Sequence, residues 1–257
     1  MSNIDKWSPR RLAFMAGALS IGSGFPDGFS IYVLKKVLVR NDAAATAANI
    51  LHFETLFRSG IIAEIFALVI FATSLVLLYL LFKPASRRGA LIFLVVCIIG
   101  ATIQSLDVLG DITALSFLKG GTGAAALPAP QAQAMAFLFL RMHLLVYTVS
   151  LAFTGFGSLC LAYVATQATF LPRVGGWFLA IDGLGYITHS FGTLVAPTWI
   201  VHLQPYVPYA TSIFGTGALM IWLIVKGVNV PKWEEQARAS SSAAGSLPDR
   251  NDRVTAQ

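Results

Sequence analysis

Asp27, Glu64, Asp107, Asp111, Arg141, His143, Asp182 and His189 lie inside stretches that are otherwise apolar. Ionisable groups in such stretches are costly, so they face an interior, a partner or a water-filled space, and any chemistry resides with them. Their spacing is helical. Ser20, Ser23, Asp27 and Ser30 follow i, i+3, i+7, i+10 and stack on one face. Gln104, Asp107 and Asp111 repeat i, i+3, i+7, which puts two carboxylates one turn apart. Asp182, Tyr186, His189 and Thr193 share a third face, and His143 aligns with Tyr147, Ser150 and Thr154 on a fourth. Pro26 and Gly28 flank Asp27, so a kink or interruption is expected there.

Three chemistries suit this set. The first is a structural ion network, with Arg141 paired to Asp107, Asp111 or Glu64 and the histidines hydrogen-bonded to hydroxyls. The second is a site that binds or transports a small, anionic or lipid-derived ligand. There Arg141 grips the anion and the acids, with Asp27 and Asp182 among them, accept protons. The third is metal or haem: His143 and His189 come out at matching depths, as two axial ligands of a haem would, or as ligands of zinc completed by Asp107 or Glu64. In that case the protein is an intramembrane metal- or acid/base-dependent enzyme on a lipid-soluble substrate, in which Asp107 and Asp111 share a proton. A partner subunit without chemistry of its own is the remaining class. The chain contains no GxxxxGK[ST], GxGxxG after a strand, HExxH, GxSxG or CxxC, which argues against a one-chain ATP-driven pump.

The elements that must position these residues follow from composition. Of 257 residues, 56% are hydrophobic and 12% charged, against roughly 25% charged in ordinary globular domains. Mean hydropathy is +0.71. A soluble enzyme, a secreted disulfide scaffold and a disordered regulator are excluded. Cys97 and Cys160 fall in apolar runs and read as small hydrophobes, with no disulfide. The net charge of +6 comes from Lys and Arg beside apolar segments, which fits orientation on an anionic leaflet and not nucleic-acid binding.

The expected fold is all-α: a polytopic membrane bundle of about six spans, at 12–34, 61–82, 90–111, 137–163, 175–195 and 209–228, because each run approaches the ~20 residues that cross a bilayer. The first run, with Pro26 and Asp27 inside it, reads as a retained helix and not a signal peptide. Twelve Lys and Arg fall on both termini and the second and fourth loops, and five on the other loops. This bias places both termini in the cytoplasm of a bacterial inner membrane. The domains are then a cytoplasmic N-terminus, 1–11, a six-helix membrane domain, 12–230, and a disordered cytoplasmic tail, 231–257.

Asn41 and Asp42 offer an N-cap to a short amphipathic helix lying on the outer surface in the first loop. At 1.5 Å per residue, Glu64, Asp107, Asp111, Arg141, His143 and His189 fall within about 10 to 12 Å of the outer boundary, with Asp27 slightly deeper. His52 and His202 sit in outside loops. The layer implies a polar cavity open to the outside.

Segments 41–50, NDAAATAANI, and 56–60, LFRSG, together with 171–177, LPRVGGW, 183–186, GLGY, and 222–227, WLIVKG, resemble a bacterial family of six-span inner-membrane proteins known as domain of unknown function forty-three eighty-six. The resemblance covers roughly residues 11–227. It implies a multi-pass membrane protein in contact with lipids, and it supplies no reaction.

Overall fold

Ser8 starts the first helix: its Oγ accepts from the Arg11 backbone N–H at 3.3 Å, and Pro9 at the first helical position lacks the N–H that would have no partner. Helix α1 then runs Pro9–Val37. The computed structural model describes residues 7–121, 127–195 and 207–245. It continues with α2 (Ala43–His52), α3 (Glu54–Phe82), α4 (Arg87–Leu118), α5 (Ala129–Gln167) and α6 (Val174–Val195). Next come α7 (Val207–Ser212), a π-helical turn (Ile213–Gly217), α8 (Ala218–Val225) and α9 (Val230–Gly245). No strand occurs among the described residues.

Among the described residues three helices, α3, α4 and α5, are long and apolar enough to cross a membrane. A fourth is added if 210–225 and 230–242, which meet at a 106° bend, count as one span. Helices α1 and α6, with 29 and 22 residues, have the length. Their polar and glycine residues, Asp27 with its serines and Asp182 with His189, dilute the hydropathy. Helix therefore covers five of the expected spans. The sixth is a shorter helical run, 207–225, that passes through the π turn and closes where Gly227, at φ +67°, lets its N–H and that of Lys226 reach the Trp222 carbonyl. Helix α1 is not interrupted at Pro26. The bond lost there is the one to the Gly22 carbonyl.

The helices close a circuit: α1 packs on α3, α3 on α4, α4 on α5, α5 on α6, α6 on α7 and the π turn, and α8 back on α1. Two apolar clusters fill it. One, at the end carrying the chain termini, includes Leu12, Leu81, Phe82, Phe93, Leu161 and Leu223. The other, beneath α2, includes Val33, Ile50, Phe57, Leu115 and Leu140. Buried Glu64, Asp107 and His143 lie between them in chain position and Asp111 within the second, whereas Phe66, Leu109, Leu138 and Ile221 are exposed. Polar groups inside and large apolar ones outside is the inverse of a water-soluble domain, and it suits hydrocarbon as the surrounding solvent.

Asp42, not Asn41, caps α2: its Oδ1 accepts from Ala45 N–H at 2.8 Å, while Asn41 takes the left-handed turn at φ 59°. The helix is tied to the bundle by Thr46 and by Asn49, whose Nδ2 donates to the Val37 carbonyl at 3.3 Å. It buries Ile50 completely. At the opposite end, where a disordered tail was expected from 231, α9 continues to Gly245. Its Trp233 Nε1 donates to the Leu81 carbonyl at 2.8 Å, and Gln236 bonds Thr169 and the Gln167 carbonyl. Residues 246–257 lie outside the described residues.

Candidate functional site

The densest polar cluster joins α1, α3, α4 and α5. His143 turns inward from α5 between the two carboxylates of α4: Nδ1 lies 3.2 Å from Asp111 Oδ1, and Nε2 lies 3.9 Å from Asp107 Oδ2. Glu64, nearly three turns inside α3, accepts from Ser30 Oγ of α1 at 2.7 Å. Asp27 accepts from Gln104 Nε2 of α4 at 3.3 Å. Each bond joins neighbouring helices of the circuit or spans α1 to α4, so the cluster ties four elements together. One donor atom each of Glu64, Asp111 and His143 lies within 4.8 Å of the others, and all three residues are buried. Both oxygens of Asp107 are buried without a hydrogen bond. Among the described residues, His143, Glu64, Asp111 and Asp27 are the charged groups that bear on Asp107.

A second centre surrounds Asp182. Its Oδ2 accepts from Ser158 Oγ of α5 at 3.2 Å and from Thr216 Oγ1 of the π turn at 2.6 Å, while Oδ1 is buried without a partner. The π turn comes close here because Gly215 has no side chain: a Cβ would stand 2.5 Å from that of Asp182. Between this centre and α1 lies a cavity of about 530 Å³, lined by Gly24, Asp27 and Gly28 on one wall and Tyr147, Tyr186 and Ser212 on the other. Tyr186 and Ser212 are hydrogen-bonded to each other on that second wall.

Of the residues expected from sequence, Glu64, Asp107, Asp111 and His143 come together, with Asp27 reaching Gln104 on the same α4 stripe. Asp27 and Tyr186 meet at the cavity, and Asp182 stands apart on its own hydroxyls. Arg141 does not join: it is exposed and forms no ion pair with these acids. It stands two positions before His143, about 200° around a helix, so one of the pair had to face outward. His189 is half-buried on α6 and lies outside the metal-capable group. Because the ring nitrogens of His143 face α4 carboxylates, an axial His143–His189 haem pair finds no support in this arrangement. His52 packs edge-on against Phe53, and His202 lies outside the described residues.

Sequence reading missed Ser158 and Ser212 and the role of Thr216. Ser158 continues the stripe of His143, Tyr147, Ser150 and Thr154 by a further four residues, so its signal was present. Thr216 points at Asp182 only because of the π turn, which no local pattern announces.

The fold and site define a helical protein with apolar, membrane-length helices around buried carboxylates. Residues 15–227 match the family described as Domain of unknown function (DUF4386). The chain belongs to that family. No curated protein and no solved structure matches it.

Proposed function

We propose that this chain is a six-span protein of the bacterial inner membrane, with both termini cytoplasmic, that binds or transports a small or lipid-derived ligand in the α1/α5–α7 cavity. The observation that carries the reading is the cavity itself: about 530 Å³ inside an apolar exterior, with Asp27 and the hydroxyls of Tyr147, Tyr186 and Ser212 on its walls. That volume is in the range of small-molecule pockets. Since Arg141 faces away, the ionisable group deep in the cavity is an acid among tyrosines, and Lys35 stands nearer its α2 end. Such walls favour an amine or another hydrogen-bond donor at the ligand's polar end, with its apolar part toward lipid.

Gly28 gives the test, since a Cβ there meets nothing within 4 Å. In a Cys97→Ala, Cys160→Ala background, Gly28→Cys is labelled in intact cells by a membrane-impermeant maleimide, and dodecylamine slows labelling several-fold while dodecanoate does not. An unlabelled cysteine, or equal protection by both amphiphiles, refutes the reading. Reporter fusions after residue 245 check the orientation, with fluorescence expected from a cytoplasmic fluorescent protein and no activity from a periplasmic phosphatase.

A further inference from the structure

The chain has a second place where ligand chemistry converges, and it shares no residue with the cavity lining. Glu64 from α3, Asp111 from α4 and His143 from α5 present donor atoms within 4.8 Å of one another. A four-coordinate ion with ligands about 2.1 Å away spaces its donors about 3.4 Å apart. The 3.2 Å between His143 Nδ1 and Asp111 Oδ1 is already at that spacing, and a rotamer adjustment of Glu64 closes the rest.

Asp107 supplies the independent observation. It is 1% exposed, neither oxygen has a hydrogen bond, and Oδ2 points at the His143 ring at 3.9 Å. An ionised carboxylate buried without donors is strongly destabilising unless a cation or proton compensates it. Asp107, Asp111 and Glu64 surround one imidazole. A divalent cation held by the neutral imidazole balances two of the three negative charges, which a lone imidazolium cannot do. Ser30, donating to Glu64 Oε2 at 2.7 Å, orients that carboxylate as outer partners of metal ligands do and leaves Oε1 for the ion.

We propose that Glu64, Asp111 and His143 bind one divalent first-row transition-metal ion between α3, α4 and α5, with Asp107 as the outer carboxylate on the Nε2 side of the His143 ring. Two carboxylates and one imidazole nitrogen, with water completing the shell, suit zinc, manganese or ferrous iron, and the imidazole disfavours magnesium and calcium. This goes beyond the cavity reading and stands or falls separately, because its ligands are not those tested at Gly28.

The full chain, untagged and in detergent, is stripped with a chelator and titrated with Zn²⁺, Mn²⁺ or Mg²⁺. Bound metal is counted by elemental mass spectrometry and Tm is read alongside. Zn²⁺ or Mn²⁺ is expected to bind at one equivalent per chain and raise Tm, and Mg²⁺ to do neither. His143→Gln and Asp111→Asn should weaken binding by more than about a hundredfold and Ser30→Ala by about tenfold. His52→Ala and Cys160→Ala should leave it unchanged. No stoichiometric metal on the wild type, or unchanged binding in His143→Gln and Asp111→Asn, overturns the proposal. The latter outcome puts the ion elsewhere and leaves a proton-balanced hydrogen-bond network. Should those two variants not fold, Co²⁺ on the wild type decides: intense visible bands of four-coordinate nitrogen and oxygen ligation support the site, and an aquo-ion spectrum overturns it.

Discussion

A buried carboxylate is only as stable as the donors that reach it, and Ser30 is the one that holds Glu64. Ser30→Ala removes the bond to Oε2 and is expected to lower stability by about 1–3 kcal/mol, the cost of leaving a buried acceptor without its donor. Thermal unfolding in detergent reads it, and an unchanged Tm would show that solvent reaches Glu64. Arg141 makes the opposite case. Because it is exposed and unattached to the acids, Arg141→Ala should change Tm by no more than the equivalent of about 0.5 kcal/mol. A structural ion network through Arg141 would instead lower folding yield sharply. The sequence placed Asp27, Asp107, Asp111 and His143 on inward stripes, and the structure agrees. It also contained the correction for Arg141, in the two-residue offset from His143. It did not contain the pairing of Ser30 with Glu64, 34 positions apart, which depends on how α1 and α3 are rotated against each other.

Between elements, close approach of backbones sets those rotations. Helices α5 and α6 cross where a Cβ on Gly155 would stand 2.9 Å from the Gly183 carbonyl, and one on Gly183 would stand 2.7 Å from the Gly155 carbonyl. Glycine at both positions lets the helices approach closely enough for Ser158 to reach Asp182. Gly183→Leu is therefore expected to cost about 1–3 kcal/mol by overpacking, and to expose Asp182. Its checks are Tm and faster amide exchange along α6. Gly28→Leu, facing open space, should keep Tm and abolish amine protection of a cysteine placed at Ser212. The ten-residue α2 was readable from its cap and its Ile50 period. Its attachment was not, since Thr46 and Asn49 bond the end of α1 by contacts that only the folded bundle brings together. Helix α9 was missed for a related reason: its composition is polar, and Trp233 and Gln236 anchor it to groups that folding brings within reach.

At the scale of the whole molecule, the exposed apolar belt predicts that the protein stays in the membrane fraction through alkaline carbonate washing and leaves it only with detergent. Release by carbonate would mean that α3, α4 and α5 do not cross. Mean hydropathy, the scarcity of charge and runs near twenty residues establish a helical membrane chain because the bilayer requires every backbone polar group to be bonded within its own segment. Spacing within one helix likewise establishes which side chains share a face, since 3.6 residues per turn is a local property. Which faces then meet is not local. That His143 sits between Asp107 and Asp111, that Asp27 reaches Gln104, and that Thr216 reaches Asp182 through a π turn depend on interhelical rotation and depth. Small residues and packed side chains distributed along the whole chain set those quantities jointly.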